Sequence, residues 1–205
     1  LKWRGLKFDE RKEGDVPHED LLRIDLCSAV SKALTDVDPL RSAVFQLRTL
    51  LLSLDAGEAS RVAAGLSALG LASALRGRPS SVAEGEDLLA RARAIASRFD
   101  DRRLAVTIAL NAASLLLVRG QWRRAAEEYD RLGRSLDSVG GFTAERGFVK
   151  IASIIALETM GRLVEVDART AAWHREAVVV GNVFATITAT LARHAVLLAA
   201  DDPVA

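Results

Sequence analysis

The sequence predicts an all-α protein built from repeated helix pairs, and three observations support this prediction. Half of the 205 residues are hydrophobic, only 5% are aromatic, and four are prolines. The apolar content is mostly Ala, Leu and Val, and with abundant Arg and Glu it favours helices. Between successive breaks in the pattern, apolar residues recur at intervals of three and four, which is the spacing of one helix face. The breaks themselves recur, so that two helices fit each repeat of roughly 40 residues, as in a helical solenoid.

The helix boundaries follow from capping residues. Pro17, followed by Glu19 and Asp20, predicts the start of the first helix, because proline suits a first turn and acidic residues stabilise the positive end of the helix dipole. Asp38 as N-cap and Pro39 at the first position predict the start of the second helix. The remaining breaks complete a prediction of nine helices and no strand, and they fall at Gly57, Gly77, Asp100-Asp101, Gly120, Gly140-Gly141, Gly161 and Gly181.

Three glycines mark the turn inside each predicted helix pair. Gly77, Gly120 and Gly161 each follow an apolar-periodic segment and stand roughly 40 residues apart. Glycine is expected there because it adopts a left-handed conformation at a helix C-cap without strain. The sequence therefore predicts about four helix pairs, stacked in a right-handed superhelix, in a single repeat domain over residues 17–205. Residues 1–16 form an N-terminal extension, for which a short strand and the end of a preceding helix remain alternatives.

The segment VRGQWRRAAEEYDR, residues 118–131, is interpreted as one such turn and the helix after it. Trp122 is expected to pack across the turn, Ala125 and Ala126 are small where helices approach closely, and Tyr129 continues the buried face. The spacing W--A-E-Y after a glycine turn resembles the second helix of a tetratricopeptide (TPR) repeat. The repeat here is longer than in that family, so the resemblance implies a TPR-like α-solenoid.

Longer phrases carry a second resemblance. RGLKFDERKEGDVPHEDLLRIDLCSAV, VDPLRSAVFQLRTLLLSLDAGEASRVAAGL and the terminal LLAADDP are similar to the C-terminal helical region of large bacterial Ser/Thr protein kinases, in which a kinase domain precedes an ATPase-like segment and helical repeats. This resemblance implies a regulatory or scaffolding segment of a signalling kinase and carries over no catalytic residue. The chain also begins without Met, so we expect it to be a fragment of a longer protein.

Composition excludes several partners and compartments. The formal net charge of +1 provides no basic field for nucleic acid, and the single cysteine, Cys27, excludes an intrachain disulfide framework. The first 15 residues are charged throughout, unlike a signal peptide. The apolar run at residues 104–118 contains Thr107, Asn111 and Ser114 and is shorter than the roughly 20 residues that span a membrane. We therefore expect a cytoplasmic protein that binds neither nucleic acid nor membrane.

Catalytic motifs are missing from the sequence. It has no glycine-rich loop with its strand lysine, and no His-Arg-Asp or Asp-Phe-Gly motif, so this chain is not expected to be an enzyme. Gly65 and Gly70 have the spacing of a phosphate loop, but Leu71 stands where the lysine must be, and the glycines are interpreted as close helix packing. No metal or other cofactor is expected, because no second ligand stands at a metal-binding spacing from any of the histidines, His18, His174 and His194.

Three polar stripes are the candidate binding surface. Solenoids present an extended concave surface, and the first helix of each pair normally lines it. On three such helices, polar residues recur at helical spacing on an otherwise apolar background. The candidates are Arg103, Thr107, Asn111 and Ser114 on the first, Arg146, Lys150 and Ser153 on the second, and Thr186, Thr190 and Arg193 on the third. The alternative interpretation is the solvated face that every amphipathic helix has.

Two functions remain open on the sequence alone. The first is a protein-interaction or regulatory scaffold module, whose partners are proteins or peptides, including other domains of the same protein. Residues 91–134 contain ten Lys or Arg and five Asp or Glu, so acidic peptide segments are the expected ligands. The alternative is a small-molecule sensor, with a metabolite in the groove or in a crevice near Trp122 and Trp173.

Overall fold

Residues 5–35, 37–137 and 141–201 are described by the structure, a computed structural model. Over these residues it consists of helices and connecting turns with no regular strand, as the sequence predicts. A single 3-10 turn at Glu13–Asp15 precedes ten α-helices. They are α1 (His18–Leu34), α2 (Pro39–Ala56), α3 (Ala59–Ala74), α4 (Pro79–Ala96), α5 (Arg102–Val118), α6 (Trp122–Asp137), α7 (Thr143–Thr159), α8 (Leu163–Val179), α9 (Val183–Leu191) and α10 (His194–Ala200).

Local capping determines most of the helix boundaries. The Asp38 carboxylate accepts the backbone N–H of Arg41 at 3.1 Å, directly before Pro39 at the start of α2. The Asp101 carboxylate accepts the N–H of Leu104 at 3.0 Å before α5. Each bond satisfies a backbone donor that the first helical turn leaves without a partner. The last predicted helix is in fact two, because the chain turns at residues 192–193 between α9 and α10.

The turn glycines have the predicted conformation. Gly77, Gly120 and Gly161 have φ angles of 71°, 70° and 70°, in the left-handed region that residues with a Cβ rarely adopt. At the second of them the indole of Trp122 lies beside the turn, and this side chain remains 39% exposed. The chain can therefore reverse within three or four residues at each of these points.

By its internal contacts the chain divides into two compact units, Leu1–Leu115 and Leu116–Ala205, called here the N-terminal and C-terminal units. The boundary falls inside α5. In repeat proteins each repeat contacts only its neighbours, so a division by internal contacts can fall within one continuous repeat domain. The single domain over residues 17–205 therefore stays a prediction.

In the N-terminal unit, α3 is the most buried helix and its glycines permit close packing. A Cβ at Gly65 would lie 2.9 Å from a methyl carbon of Leu50 on α2. A Cβ at Gly70 would lie 2.8 Å from the carbonyl oxygen of Gly85 on α4, and one at Gly85 would lie 2.5 Å from the carbonyl oxygen of Gly70. The interpretation of Gly65 and Gly70 as packing residues is confirmed.

Two arginine side chains tie the N-terminal extension to this unit, and one of them, Arg98, donates to Glu10 at 3.0 Å. Arg61 on α3 donates two bonds to Asp25, at 2.8 and 2.9 Å, and one each to Glu13 at 3.0 Å and Glu58 at 3.3 Å. The backbone N–H of Arg11 donates to the carbonyl of Gly57 at 2.8 Å, in an isolated bridge. The described part of the extension is thus neither a regular strand nor the end of a helix. Residues 1–4 lie outside the described residues.

In the C-terminal unit, α7 packs against both α6 and α8, most closely against α6. Small residues allow this approach, since Gly133 on α6 faces Val149 on α7 and Ala125 is completely buried. Tyr129 on α6 is also fully buried, and its ring meets that of Phe148 edge to face at 6.2 Å. Trp173 on α8 is 6% exposed and belongs to a buried hydrophobic cluster with Ile154 and Leu157 on α7.

Candidate functional site

The α5 stripe lies largely in the packing of the N-terminal unit. The amide of Asn111 is half-buried and donates to the hydroxyl of Ser67 on α3 at 2.9 Å. Ser67 is completely buried and donates its own hydrogen to the carbonyl of Ala64, so Asn111 completes its bonding. Ser114 is buried and donates to the carbonyl of Leu110 at 2.9 Å. The Asn111 amide therefore satisfies a buried hydroxyl, and its place on a binding surface stays a prediction.

The two remaining members of this stripe are more accessible. Arg103 is exposed in the first turn of α5, and Thr107, one turn later, is half-buried. Exposure decreases along the stripe from Arg103 to Ser114 because the helix is progressively covered.

The α7 stripe lines a pocket bounded by α6, α7 and α8, called here the α6–α8 pocket. Its volume is about 420 Å³, and Arg146, Lys150 and Ser153 all contribute to its walls. The floor is apolar and includes Tyr129 and Trp173. The remaining lining residues are Asp130, Gly133, Arg134, Asp137, Val149, Ile154, Arg169, Ala172 and Glu176.

A hydrogen-bonded network forms one wall of the pocket. Arg169 on α8 donates to both carboxylate oxygens of Asp130 on α6, at 2.5 and 2.9 Å. The hydroxyl of Ser153 on α7 donates to the same carboxylate at 3.0 Å and accepts from Arg169 at 2.8 Å. Ser153 is only 3% exposed, so it connects three helices and does not present a free hydroxyl to a partner. This corrects the expectation that Ser153 belongs to an open polar stripe.

The charges of this network are stabilised by one another. Partial burial acts to raise the pKa of Asp130, but the hydrogen bonds and charge of Arg169, with smaller contributions from Ser153 and Arg134, outweigh it and lower that pKa. The hydrogen bonds to Asp130 raise the pKa of Arg169 in turn. Both groups are therefore charged at neutral pH and form a fixed ion pair across α6 and α8.

Lys150 reaches across the opposite wall. Its ammonium lies 2.5 Å from the carboxylate of Glu176 and 5.9 Å from the centre of the Trp173 ring. The Lys150 side chain is 32% exposed. Its charge is thus largely balanced by Glu176, and its stem covers part of the indole.

Two arginines complete the pocket. Arg146 is half-buried on α7, and Arg134 is exposed on α6, near enough to Asp130 to help lower its pKa. In the described part of the chain, neither guanidinium has an ion pair within 4.0 Å. They are the pocket's available positive groups.

The α9 stripe does not line this pocket. Thr186 and Thr190 donate to backbone carbonyls one turn earlier, those of Asn182 and Thr186, at 3.0 and 2.9 Å. Arg193 donates to Asp167 on α8 at 2.7 and 3.1 Å. Of the two stripes in the C-terminal unit, the α7 stripe lines the described pocket and the α9 stripe does not, and a groove shared by all three stripes stays a prediction.

Sequence reasoning missed the partners that build the pocket from α6 and α8. Asp130 and Arg169 stand 39 residues apart, and Arg134 was assigned no role. No short-range spacing links Asp130 to Arg169. Their one sequence signal is helical spacing, since Asp130 stands four residues before Arg134 on α6 and Arg169 stands four residues before Trp173 on α8. Trp173 was expected near a crevice and does line the pocket, whereas Trp122 does not.

The C-terminal helices expose much apolar surface. Val183, Phe184, Ile187 and Leu191 on α9 are each more than half exposed. Among the described residues, one segment, Val183–Ala200, has the length and composition of a membrane-spanning helix, and 11% of it is buried. The same segment contains the turn between α9 and α10. Length and composition alone do not distinguish a span from an uncovered helix face, so the absence of a membrane partner stays a prediction.

The described residues contain no group of three or more His, Cys, Asp or Glu side chains placed to hold a metal ion. Cys27 is half-buried on α1, with its thiol free.

No family model matches the chain, and neither a curated protein nor a solved structure is significantly similar to it.

Proposed function

We propose that this chain is a protein-interaction and regulatory module of a bacterial signalling kinase, and that it holds a segment of a partner protein in the α6–α8 pocket. The kinase context rests on the long phrases that resemble the C-terminal helical region of such kinases. The interaction role rests on the pocket. In this proposal the module is a TPR-like solenoid of about four helix pairs in a right-handed superhelix, working in the cytoplasm without catalytic activity of its own.

One observation favours this function above others. Arg146 and Lys150 stand on a helix that packs on both sides, yet they line an open pocket of about 420 Å³. Side chains on packed helices lose little further freedom when a partner binds, so their contacts are preorganised. The recurring left-handed glycines at Gly77, Gly120 and Gly161 support the repeat architecture.

A library selection tests this proposal. The purified chain would be immobilised and used to select from a library of random peptides, and enriched peptides would be titrated by isothermal calorimetry. We expect Arg146→Glu combined with Lys150→Glu to weaken binding by roughly tenfold or more, since each charged contact at such a site contributes about 1 kcal/mol. The melting temperature should fall only slightly, because the partly exposed pair of Lys150 with Glu176 that this variant removes contributes about 1 kcal/mol or less.

A matched control separates the pocket from general charge. Arg123→Glu combined with Arg175→Glu makes the same change in net charge on exposed positions of α6 and α8 that do not line the pocket. This control should bind the selected peptides as the parent chain does. An equal loss of peptide affinity in both double variants would show that only overall charge matters. If the selection enriches no peptide sequence over the starting library, the proposal is wrong.

A small-molecule sensor is the second candidate, because the pocket's volume falls within the range of about 300–1,000 Å³ that is usual for ligand sites. A thermal-shift screen of metabolites separates the two functions. A saturable rise in melting temperature with one metabolite would favour the sensor.

A further inference from the structure

The charges of the α6–α8 pocket are nearly balanced. Its lining contains four cations, Arg134, Arg146, Lys150 and Arg169, and three carboxylates, Asp130, Asp137 and Glu176. Two of the four cations are already paired, Arg169 with Asp130 and Lys150 with Glu176. One net positive charge is left for a ligand.

The two arginines that remain define where that ligand's charge would go. Arg134 and Arg146 lie on neighbouring helices, α6 and α7, which pack closely through Gly133 and Val149. A guanidinium donates hydrogen bonds in a planar fork that fits a carboxylate. Asp137 and Glu176 also line the pocket, so a second negative charge on the ligand would meet repulsion.

The floor of the pocket supplies the second requirement. Tyr129 is fully buried beneath the floor, so the apolar surface that a ligand can cover is a narrow strip formed by Ala172, which is exposed, and the 6% of Trp173 that stays accessible, with Val149 and Ile154 at its edge. An apolar group attached to the carboxylate would be removed from water there, at about 25 cal/mol for each Å² buried. A ligand with charge alone would leave this surface uncovered.

We infer that the α6–α8 pocket binds a single carboxylate joined to an apolar group, with Arg134 and Arg146 as the carboxylate contacts. An aspartate or glutamate side chain beside an apolar residue in a peptide has this chemistry, and so does a small free organic acid. The inference rests on the proposed function only in naming a peptide of a partner protein as the source of the carboxylate. A phosphate dianion or a run of acidic residues carries more negative charge than the pocket balances.

Matched probes test the ligand chemistry. The first is the blocked peptide acetyl-Gly-Leu-Glu-Gly-amide, and its controls replace Glu with Gln or Leu with Gly. N-acetyl-leucine represents the free acid, and inorganic phosphate represents a denser charge. Binding to the full chain would be followed by the NMR signal of the Trp173 indole, assigned with Trp173→Phe. We expect saturable binding of the first peptide, and binding weaker by roughly tenfold for each control peptide.

A variant pair tests the two arginines. Arg134→Gln with Arg146→Gln should weaken the Glu peptide to the level of the Gln peptide, and should leave the Gln peptide unchanged. A merely structural role would weaken both peptides equally. Arg123→Gln with Arg175→Gln should change neither. Circular dichroism and the melting temperature would check that both double variants fold.

The outcomes separate this inference from the proposed function. Equal binding of the Glu and Gln peptides, tighter binding of phosphate, or no effect of the arginine pair would overturn the inference. If library selection enriches peptides that lack an acidic residue beside an apolar one, the interaction role stands and the inference fails. If N-acetyl-leucine binds while no peptide does, the pocket chemistry stands and peptide binding fails.

Discussion

The close packing of α3 against α4 makes a prediction whose sign runs against helix propensity. Gly85 lies inside α4, where alanine is favoured over glycine by about 1 kcal/mol. A Cβ at Gly85 would, however, stand 2.5 Å from the carbonyl oxygen of Gly70 and 3.2 Å from the Cβ of Ala74, both on α3. The carbonyl belongs to a helix backbone and cannot rotate away, so the two helices must separate.

The magnitude follows from these two opposing terms. Overpacking that forces a backbone shift costs about 1–3 kcal/mol, and a contact this short with backbone belongs at the upper end. Subtracting the propensity gain leaves Gly85→Ala destabilised by about 2 kcal/mol. Gly147 on α7 is the control, because it also lies inside a helix but a Cβ there would meet nothing within 4 Å. Gly147→Ala should stabilise by up to about 1 kcal/mol.

Urea unfolding followed by circular dichroism would measure both variants. Since the chain has two compact units, the transition would first be tested for two-state behaviour, and hydrogen exchange would assign each change to its unit. Opposite signs are expected for the two alanines. The close packing of α3 and α4 would be refuted if the Gly85→Ala and Gly147→Ala variants had equal free energies of unfolding and the hydrogen-exchange rates of α3 and α4 were unchanged.

Two further predictions concern ion pairs. Because its pKa is lowered in the folded chain, ionised Asp130 stabilises the fold above the unfolded pKa of about 3.9, and this contribution is lost as the pH falls through the lower folded pKa. Asp130→Asn should therefore lower the free energy of unfolding by about 1 kcal/mol at pH 7, a small value because the pair with Arg169 is partly exposed. The difference in unfolding free energy between the variant and the parent chain should vanish near pH 2. A difference that stays constant from pH 7 to pH 2 would contradict this prediction. Arg61→Met should loosen the N-terminal extension by removing its bond to Glu13, and the loss of this bond and of the bonds to Asp25 on α1 should lower stability by about 1–2 kcal/mol and speed limited proteolysis before His18. Unchanged cleavage would show that the Arg98–Glu10 pair and the backbone bond from Arg11 to Gly57 hold the extension without Arg61.

The helix boundaries could be predicted because their causes are local. Asp38 and Asp101 bond to N–H groups three residues ahead, and Gly120 needs only its own φ angle to end a helix. Such signals act within one turn of the chain, so they are visible in the order of residues. The close packing at Gly70 was also predictable, since a glycine inside an apolar helix lacks any other local purpose.

The exposure and bonding partners of the residues in the polar stripes could not be predicted in the same way. Arg146, Lys150, Ser153 and Asn111 have equivalent spacing in the sequence. The first three line a pocket, with the hydroxyl of Ser153 already bonded to Asp130, whereas Asn111 completes a hydrogen bond to the buried Ser67. The difference depends on which helix covers each face. Periodicity identifies a polar face but does not show whether a neighbouring helix covers it.

By itself the sequence determined the helical class, most helix ends and the reversing turns, because propensity, capping and left-handed glycines act over one to four residues. The tertiary structure alone decided the pocket. It brings Asp130, Ser153 and Arg169 together across separations of 16 to 39 residues, and it leaves Arg134 and Arg146 without a paired carboxylate among the described residues. The physical reason is that an ion pair depends on the distance between helices in space. That distance is set by the volumes of the residues packed between them, such as Gly133 and Val149.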